Sequence, residues 1–196
     1  AALADGKTVA TCSAIGLEGG AGNDTLTNRG SNTVSATSEV TAASVAVSLE
    51  GTRAGLAAGV SLVDGENRAG ALAIGIRGGD GNDTIGNDDT TWVDATTTSV
   101  RTNVSVTGTF SLYGVALGAS AADATNIAAA DARGIEGGEG NDTITNTSDL
   151  VMGATTSADT TSVSVSANVA IFGAGLGASL ASAETTGSCL LYTSDA

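Results

Sequence analysis

The chain has 196 residues, of which 21 are acidic and 7 are basic, giving a formal net charge of −14 at pH 7. This charge argues against a nucleic-acid partner, which requires clustered Lys and Arg, and it favours cation binding. The chain contains no His and 3% aromatic residues, which excludes imidazole catalysis and His-type zinc sites and argues against a core of bulky side chains. The abundant Ala, Gly, Ser, Thr and Val residues favour closely stacked sheets, so we expect an all-β fold.

The sequence repeats itself, and it opens with part of a repeat. Residues 1–15 align with residues 60–74 and with residues 119–133. A partial repeat at 1–15 and three full repeats are therefore predicted, at 16–74, 75–133 and 134–192. A fixed period of this kind predicts a tandem-repeat array, here a β-solenoid or a β-roll-like stack. Residues 188–196 do not follow the period, and we expect the chain to be a piece of a longer array that copies continue end to end.

Near the start of each full repeat stands the glycine-rich motif Gly-Gly-x-Gly-Asn-Asp-Thr-(Ile/Leu), which starts at Gly19, Gly78 and Gly137. The apolar residues Leu17, Ile76 and Ile135 lie two positions before it. The motif aspartates Asp24, Asp83 and Asp142 are spaced 59 residues apart. Glycine allows positive φ angles, so the backbone can curl and turn several carbonyl oxygens towards one point. Carbonyl oxygens and a carboxylate are ligands that suit Ca²⁺.

The motif resembles the nonapeptide repeat of the RTX (hemolysin-type) calcium-binding proteins, whose copies run in tandem and share each Ca²⁺. Here one copy occurs per 59 residues. The resemblance implies a β-roll-like fold with Ca²⁺ bound at the turns. We expect Asp24, Asp83 and Asp142 to bind Ca²⁺ together with backbone oxygens of the turns, and Asp80 and Glu139 to help in their own copies, where the first copy has Ala21. The other candidate site residues are the turn glycines and asparagines, Gly20, Gly22, Gly79, Gly81, Gly138, Gly140, Asn23, Asn82 and Asn141.

Two other interpretations of the motif stay open. A Gly-Asn-Asp turn can simply reverse the chain without binding an ion. Asn23-Asp24-Thr25 and its two equivalents also match the acceptor pattern for N-glycosylation. The next aligned residues, Asn28, Asn87 and Asn146, predict either a hydrogen-bonded ladder of stacked amides or bends in the left-handed region.

Strand patterns follow in every repeat. Val45-x-Val47 recurs as Val104-x-Val106 and Val163-x-Val165, and alternation at period two predicts strands. Each repeat either forms one broad layer, with equivalent residues about 4.8 Å apart, or winds through several coils, of which three of about twenty residues would give a rise of roughly 14 Å. We favour several coils, because one layer would need about 195 Å of extended chain at ~3.3 Å per residue. Two segments could form helices in place of strands. Gly55, Gly114 and Gly173 each begin a Gly-x-x-x-Gly motif typical of membrane helices, and residues 119–133 are Ala-rich. Ser, Gly and charged residues in equivalent positions argue against both, so no membrane span is predicted.

The two cysteines, Cys12 and Cys189, occupy the same position three periods apart. We therefore predict no disulfide within the chain, since equivalent positions in a linear stack lie far apart.

No enzymatic function is predicted, since no Ser-His or Cys-His pair exists to build a nucleophile. The leading hypothesis is a secreted or cell-surface structural protein, stabilised by Ca²⁺, that forms a fibre, a surface layer or an adhesin stalk. One alternative is a ligand- or ice-binding solenoid, for which Thr37, Thr96 and Thr155 supply one aligned row. Another alternative is the RTX-type β-roll module of a larger secreted enzyme.

Overall fold

The computed structural model describes residues 1–192 and is built from β-strands, as predicted. Thr193, where the period predicts glycine, lies outside the described residues. The strands are β1 (Ala2–Ala21), β2 (Thr25–Asn28), β3 (Asn32–Asp80), β4 (Thr84–Asn87), β5 (Thr91–Glu139), β6 (Thr143–Asn146) and β7 (Leu150–Tyr192). Both helical alternatives are wrong, because residues 119–133 and the Gly-x-x-x-Gly segments all lie within long strands.

The strands form two parallel sheets with the orders β1-β3-β5-β7 and β2-β4-β6, giving a solenoid-like fold. Every strand pair joins residues 59 apart, such as Val34 with Val93 and Thr91 with Leu150. The expectation of several coils per repeat is therefore wrong and the alternative holds: each repeat forms a single broad layer, and equivalent residues of adjacent layers are direct strand neighbours. One layer can hold 59 residues because the chain within it folds back on itself.

Each long strand bends at a glycine with positive φ, namely Gly55 (φ 101°), Gly114 (φ 135°) and Gly173 (φ 158°). In β3, β5 and β7 we call the part before this glycine the first arm and the part after it the second arm; β1 pairs with the second arm of β3 and is counted as a second arm. Side chains connect the two arms: Ser61 Oγ donates to the carbonyl of Ala46 over 2.9 Å, and Thr107 Oγ1 donates to the carbonyl of Ala119 over 2.8 Å. The arms therefore face each other through their side chains, while their backbones hydrogen-bond to neighbouring layers.

The half of the arch far from the bend has an interior of small apolar side chains. One cluster joins the two arms through Val34, Ala36, Ala71, Ala73, Val93, Ala95, Ala130 and Ala132. Alanine on both arms permits a close approach, which explains how a chain poor in large residues still buries a core. A second cluster, formed by Ile76, Ile85 and Ile135 with Leu17, Leu26, Ile144 and Leu150, packs the short strands against the arms. The apolar residues that flank the glycine motif thus lie in one core.

The half of the arch near the bend has a mostly polar interior, beside one small apolar cluster of Ala46, Val63 and Ala122. Ser99, Asn103, Ser105 and Thr107 of the first arm of β5 are fully buried. The repeated valines form strands as predicted, but they point outwards: Val45 and Val47 are 60% and 50% exposed. The most regular alternation in the sequence therefore marks an outer face of the arch and not its interior.

Charged residues pair between layers where the repeats differ. Arg77 Nη1 lies 3.8 Å from Glu18 Oε1, and Arg77 Nε lies 3.7 Å from Glu136 Oε2. Lys7 Nζ of β1 likewise lies 3.0 Å from Glu66 Oε2 of β3. These pairs place opposite charges above one another where identical repeats would stack like charges.

The part of the chain that the structure describes contains no helix of the length and hydropathy that a membrane span requires.

The two cysteines are free. Cys12 pairs in register with Ala71, and Cys189 pairs with Ala130. Ala71 and Ala130 are themselves register partners, so the cysteines stand three layers apart, about 14 Å at the ordinary strand spacing. This separation exceeds the reach of a disulfide.

Candidate metal centre at the glycine-rich turns

The glycine-rich motif forms the turn that leads from each second arm into the next short strand. Its second and fourth glycines have positive φ, with values from 100° at Gly20 to 133° at Gly81. The first glycine is needed for a different reason. A Cβ atom on Gly78 would overlap with the carbonyl oxygen of Gly137 and with the carboxylate of Asp83. The glycines therefore allow both the curl of the turn and the close stacking of one turn on the next.

The asparagine and aspartate of the motif bridge neighbouring layers in opposite directions. The backbone N–H of Asn82 donates to Asn23 Oδ1 over 2.8 Å, from the later layer to the earlier one. The backbone N–H of Asp24 donates to Asp83 Oδ1 over 2.8 Å, from the earlier layer to the later one. The same two bonds recur in the next layer, from Asn141 N to Asn82 Oδ1 and from Asp83 N to Asp142 Oδ1, each at 2.8 Å. Backbone donors that a turn leaves free are thus satisfied by side chains.

The three aspartates stand in one column, and one oxygen of each carboxylate has no partner. Asp83 is 1% exposed, and Asp24 and Asp142 are partly buried at the ends of the column. The Oδ2 atoms of Asp24, Asp83 and Asp142 are buried without a hydrogen-bond donor within reach in the described part of the chain. A buried, unpartnered carboxylate oxygen is costly, and aligned carboxylates also repel one another.

The other predicted ligands are placed differently. Asp80 and Glu139 are in register with Ala21, and their side chains are exposed. Their backbone carbonyls hold the turn, because Gly22 N donates to Asp80 O over 2.7 Å and Gly81 N donates to Glu139 O over 2.8 Å. The three asparagine side chains are exposed, and Asn23 Oδ1 and Asn82 Oδ1 already accept layer-bridging bonds.

The spacing of the carboxylate column matches the coordination distances of a cation. Adjacent strands lie about 4.8 Å apart, which is about twice a Ca²⁺–O distance of ~2.4 Å. Within residues 1–192 no cluster of three or more acidic or cysteine side chains could hold a metal by itself. An ion at this column would therefore depend on Oδ2 atoms of successive layers, backbone oxygens of the turns and water. Hard oxygen ligands of this kind suit Ca²⁺.

A buried amide ladder stands at the next corner of the layer. Asn28 Nδ2 donates to Asn87 Oδ1 over 2.7 Å, and Asn87 Nδ2 donates to Asn146 Oδ1 over 2.8 Å. The ladder hypothesis is confirmed, and the non-glycine residues of the described chain have no positive φ. Sequence patterns did not identify Thr91, whose hydroxyl donates to Asn87 Oδ1 over 3.0 Å. They also missed Arg101, a fully buried cation whose single occurrence gives no periodic signal.

No protein-family model, no curated protein and no solved structure matches this chain.

Proposed function

We propose that this chain is part of an extracellular or cell-surface structural protein that grows along its layer axis and is stabilised by Ca²⁺ at the glycine-rich turns. Such a protein would act as a fibre, a surface layer or an adhesin stalk. The observation that carries the proposal is the direct in-register hydrogen bonding of residues 59 apart over almost the full length of each layer. Each layer thus presents the next one with a matching template.

The two outer layers support end-to-end growth. β1 and β7 are the edge strands of the main sheet, and an edge strand presents unpaired N–H and C=O groups that can pair with another strand. β7 extends over 43 residues, which makes it a long edge of the kind that single proteins usually block. A further repeat, or a second copy of the chain, would continue the parallel register.

Calcium would stabilise this stack by neutralising the aspartate column. Asp24, Asp83 and Asp142 would hold the ion through their unpartnered Oδ2 atoms, while the Oδ1 atoms of Asp83 and Asp142 accept the backbone N–H of the equivalent aspartate in the earlier layer. Calcium sites of extracellular modules typically have dissociation constants of about 10⁻⁴–10⁻³ M, which gives the range of Ca²⁺ concentration to test. An ion that binds only the folded stack stabilises it by mass action.

Growth along the axis can be tested with the purified chain by electron microscopy and fibre diffraction. We expect concentrated protein to form filaments with a reflection at about 4.8 Å along the filament axis, because hydrogen-bonded layers repeat at that distance. Chains that remain single particles at every concentration tested, or filaments that lack this axial reflection, would contradict the proposal.

The calcium role is tested with the triple substitution Asp24→Asn, Asp83→Asn and Asp142→Asn. Asparagine keeps an Oδ1 acceptor for the layer-bridging N–H groups but replaces Oδ2 with a neutral amide. We expect the wild-type melting temperature to rise with Ca²⁺ and to fall with a chelator, and this shift to vanish in the triple variant. At [Ca²⁺] of about 100 times the dissociation constant, the stabilisation would be about 2.7 kcal/mol.

A matched control removes the same number of carboxylates from another aligned column. Asp5, Asp64 and Asp123 are also in register with one another, but they lie on the exposed surface of the second arms. Their triple substitution by asparagine should leave the calcium-dependent shift intact. A wild-type melting temperature that does not respond to chelation, or an equal loss of the shift in both variants, would refute the site.

A further inference from the structure

The outer surface of the first arms is apolar near the bend. Large side chains from three layers are exposed there, including Val47 at 50%, Phe110 at 44%, Val165 at 46% and Val169 at 54%. We call this surface the valine face. It consists of Val45, Val47, Leu49, Val104, Val106, Phe110, Val163, Val165, Val169 and Ile171.

The other side of the same strands is polar. Ser105 Oγ donates to the carbonyl of Ser61 over 2.8 Å, and Ser164 Oγ donates to the carbonyl of Ser120 over 2.8 Å. Ser and Thr therefore occupy most interior positions of the first arms in this half, while Val, Leu, Ile and Phe occupy the exterior. A contiguous apolar surface on a strand that buries its polar side marks an interaction site.

The valine face is arranged in columns that match the layers. Val45, Val104 and Val163 form one column, and the equivalent valines two residues later form the next. Further towards the bend, large and small residues stand beside one another: Gly51, Phe110 and Val169 form one column, next to Leu49, Gly108 and Ala167. Together with Glu50 and Thr109, these residues line a groove of about 420 Å³.

We propose that the valine face packs against the valine face of a second copy of this chain, sheet against sheet, with the layer axes side by side. Another in-register parallel stack has the same column spacing of about 4.8 Å, so its ridges and hollows can fit along the whole face. The groove beside Phe110 and Val169 would receive a large side chain of the partner.

Charge favours this partner over a lipid surface. The four columns from Val45 to Gly51 carry no charged side chain, and Arg53 stands at the bend end of the face in the column of Ile171. The chain as a whole has a net charge of −14, which repels anionic headgroups. Repulsion between two acidic copies acts over longer distances and is screened beyond about 8 Å at physiological ionic strength. Pairing should therefore strengthen as salt is added.

The size of the face decides how strongly two copies hold together. Three first arms at about 4.8 Å spacing and nine residues at ~3.3 Å give about 450 Å² per partner. The total of about 900 Å² is smaller than the roughly 1,200 Å² of the smallest stable interfaces. A pair of these chains should therefore be in rapid exchange, and each further layer would strengthen it.

The experiment compares the full chain with two triple variants by sedimentation velocity over a concentration series. The test variant carries Val47→Thr, Val165→Thr and Val169→Thr, which keep the β-branched shape and polarise the valine face. The control carries Val9→Thr, Val60→Thr and Val151→Thr, exposed valines outside that face, at 55%, 40% and 38%. Circular dichroism checks that all three chains remain folded, and Phe110→Lys serves as a second test variant.

We expect the wild type and the control to self-associate with similar constants, and the test variant and Phe110→Lys to associate at least tenfold more weakly. Small-angle scattering should show that the pair is thicker than the single chain but no longer. A monomeric wild type, equal weakening in the control, or a pair extended only along the layer axis would overturn the proposal. Binding to neutral phosphatidylcholine vesicles in place of self-association would also overturn it.

Discussion

Arg101 is a buried cation whose side chain joins two neighbouring layers. Its side chain is 1% exposed and donates to Asn103 Oδ1 over 2.9 Å, to Asn67 Oδ1 over 3.3 Å and to Ser44 Oγ over 2.7 Å. Burial lowers the pKa of the guanidinium, while the fields of Asp64 and Asp5 act in the opposite direction. The neighbouring layers carry Ala42 and Thr160 in this column, so one layer alone contributes a cation to the interior.

The guanidinium of Arg101 occupies space that Gly65 leaves open, and this pairing gives a prediction for Gly65→Ala. The added Cβ would overlap with the guanidinium, so we expect the free energy of unfolding to fall by about 1–3 kcal/mol, as overpacking does. Chemical denaturation measures the change. As a control, Gly70→Ala should cost much less, because the nearest atom to its Cβ is a methyl carbon of Thr11 at 3.5 Å.

A double-mutant cycle separates the clash from other effects of the substitution. In an Arg101→Thr background, which places the residue type of the following layer at this position, Gly65→Ala should lose most of its cost. An equal cost of Gly65→Ala with and without Arg101 would show that the two residues do not determine each other.

At the scale of elements, the bend divides each long strand into two arms that share a sheet but face each other. Gly55, Gly114 and Gly173 are register partners and all have positive φ. Tyr113 and Phe172 stack beside the bend with their ring centroids 5.1 Å apart. The register between layers continues on both sides of the bend, with Thr52 paired to Ser111 and Ala54 paired to Tyr113.

The bend glycines differ in what surrounds them, which gives a prediction for Gly55→Ala and Gly114→Ala. Both substitutions force a side chain into positive φ, at a cost of about 1–3 kcal/mol. Gly114→Ala adds an overlap with the carbonyl oxygen of Gly55, whereas a Cβ on Gly55 meets no atom of residues 1–192 within 4 Å. Thermal unfolding should therefore show the larger loss for Gly114→Ala. Equal losses would mean that contact between layers does not contribute at the bend.

At the scale of the whole molecule, the layers differ in how many neighbours they have. β5 is hydrogen-bonded on both sides, whereas β7 has one neighbour and β1 has one. Because local opening needs less free energy where fewer contacts are broken, β7 should open more readily than β5.

Native-state hydrogen exchange tests this difference in the monomeric chain. Amides of β5 should exchange at rates set by global unfolding, and amides of β7 should exchange faster. In conditions that favour filaments, protection of β7 should rise to the level of β5, since its free edge would then be paired. Uniform protection of all layers in the monomer would contradict this prediction.

The sequence by itself determined the period, the strand content and the turns. Alternation at period two, positive-φ glycines and stacked asparagines are local signals, and the structure places each of them in a strand, a turn or a ladder. Layer-bridging by Asp24 and Asp83 follows from the same period once equivalent residues are neighbours. The proposed ion at this column remains a prediction of the motif.

Only the tertiary structure decided how many coils make one repeat and which strand face is inside. Period-two alternation defines two faces of a strand but does not say which of them meets another strand. That choice depends on where the chain bends at Gly55, Gly114 and Gly173, because the bend brings the Ser and Thr side of one arm against the other arm. The valines were therefore left outside, and Arg101 was enclosed, by packing between segments that are distant in the sequence.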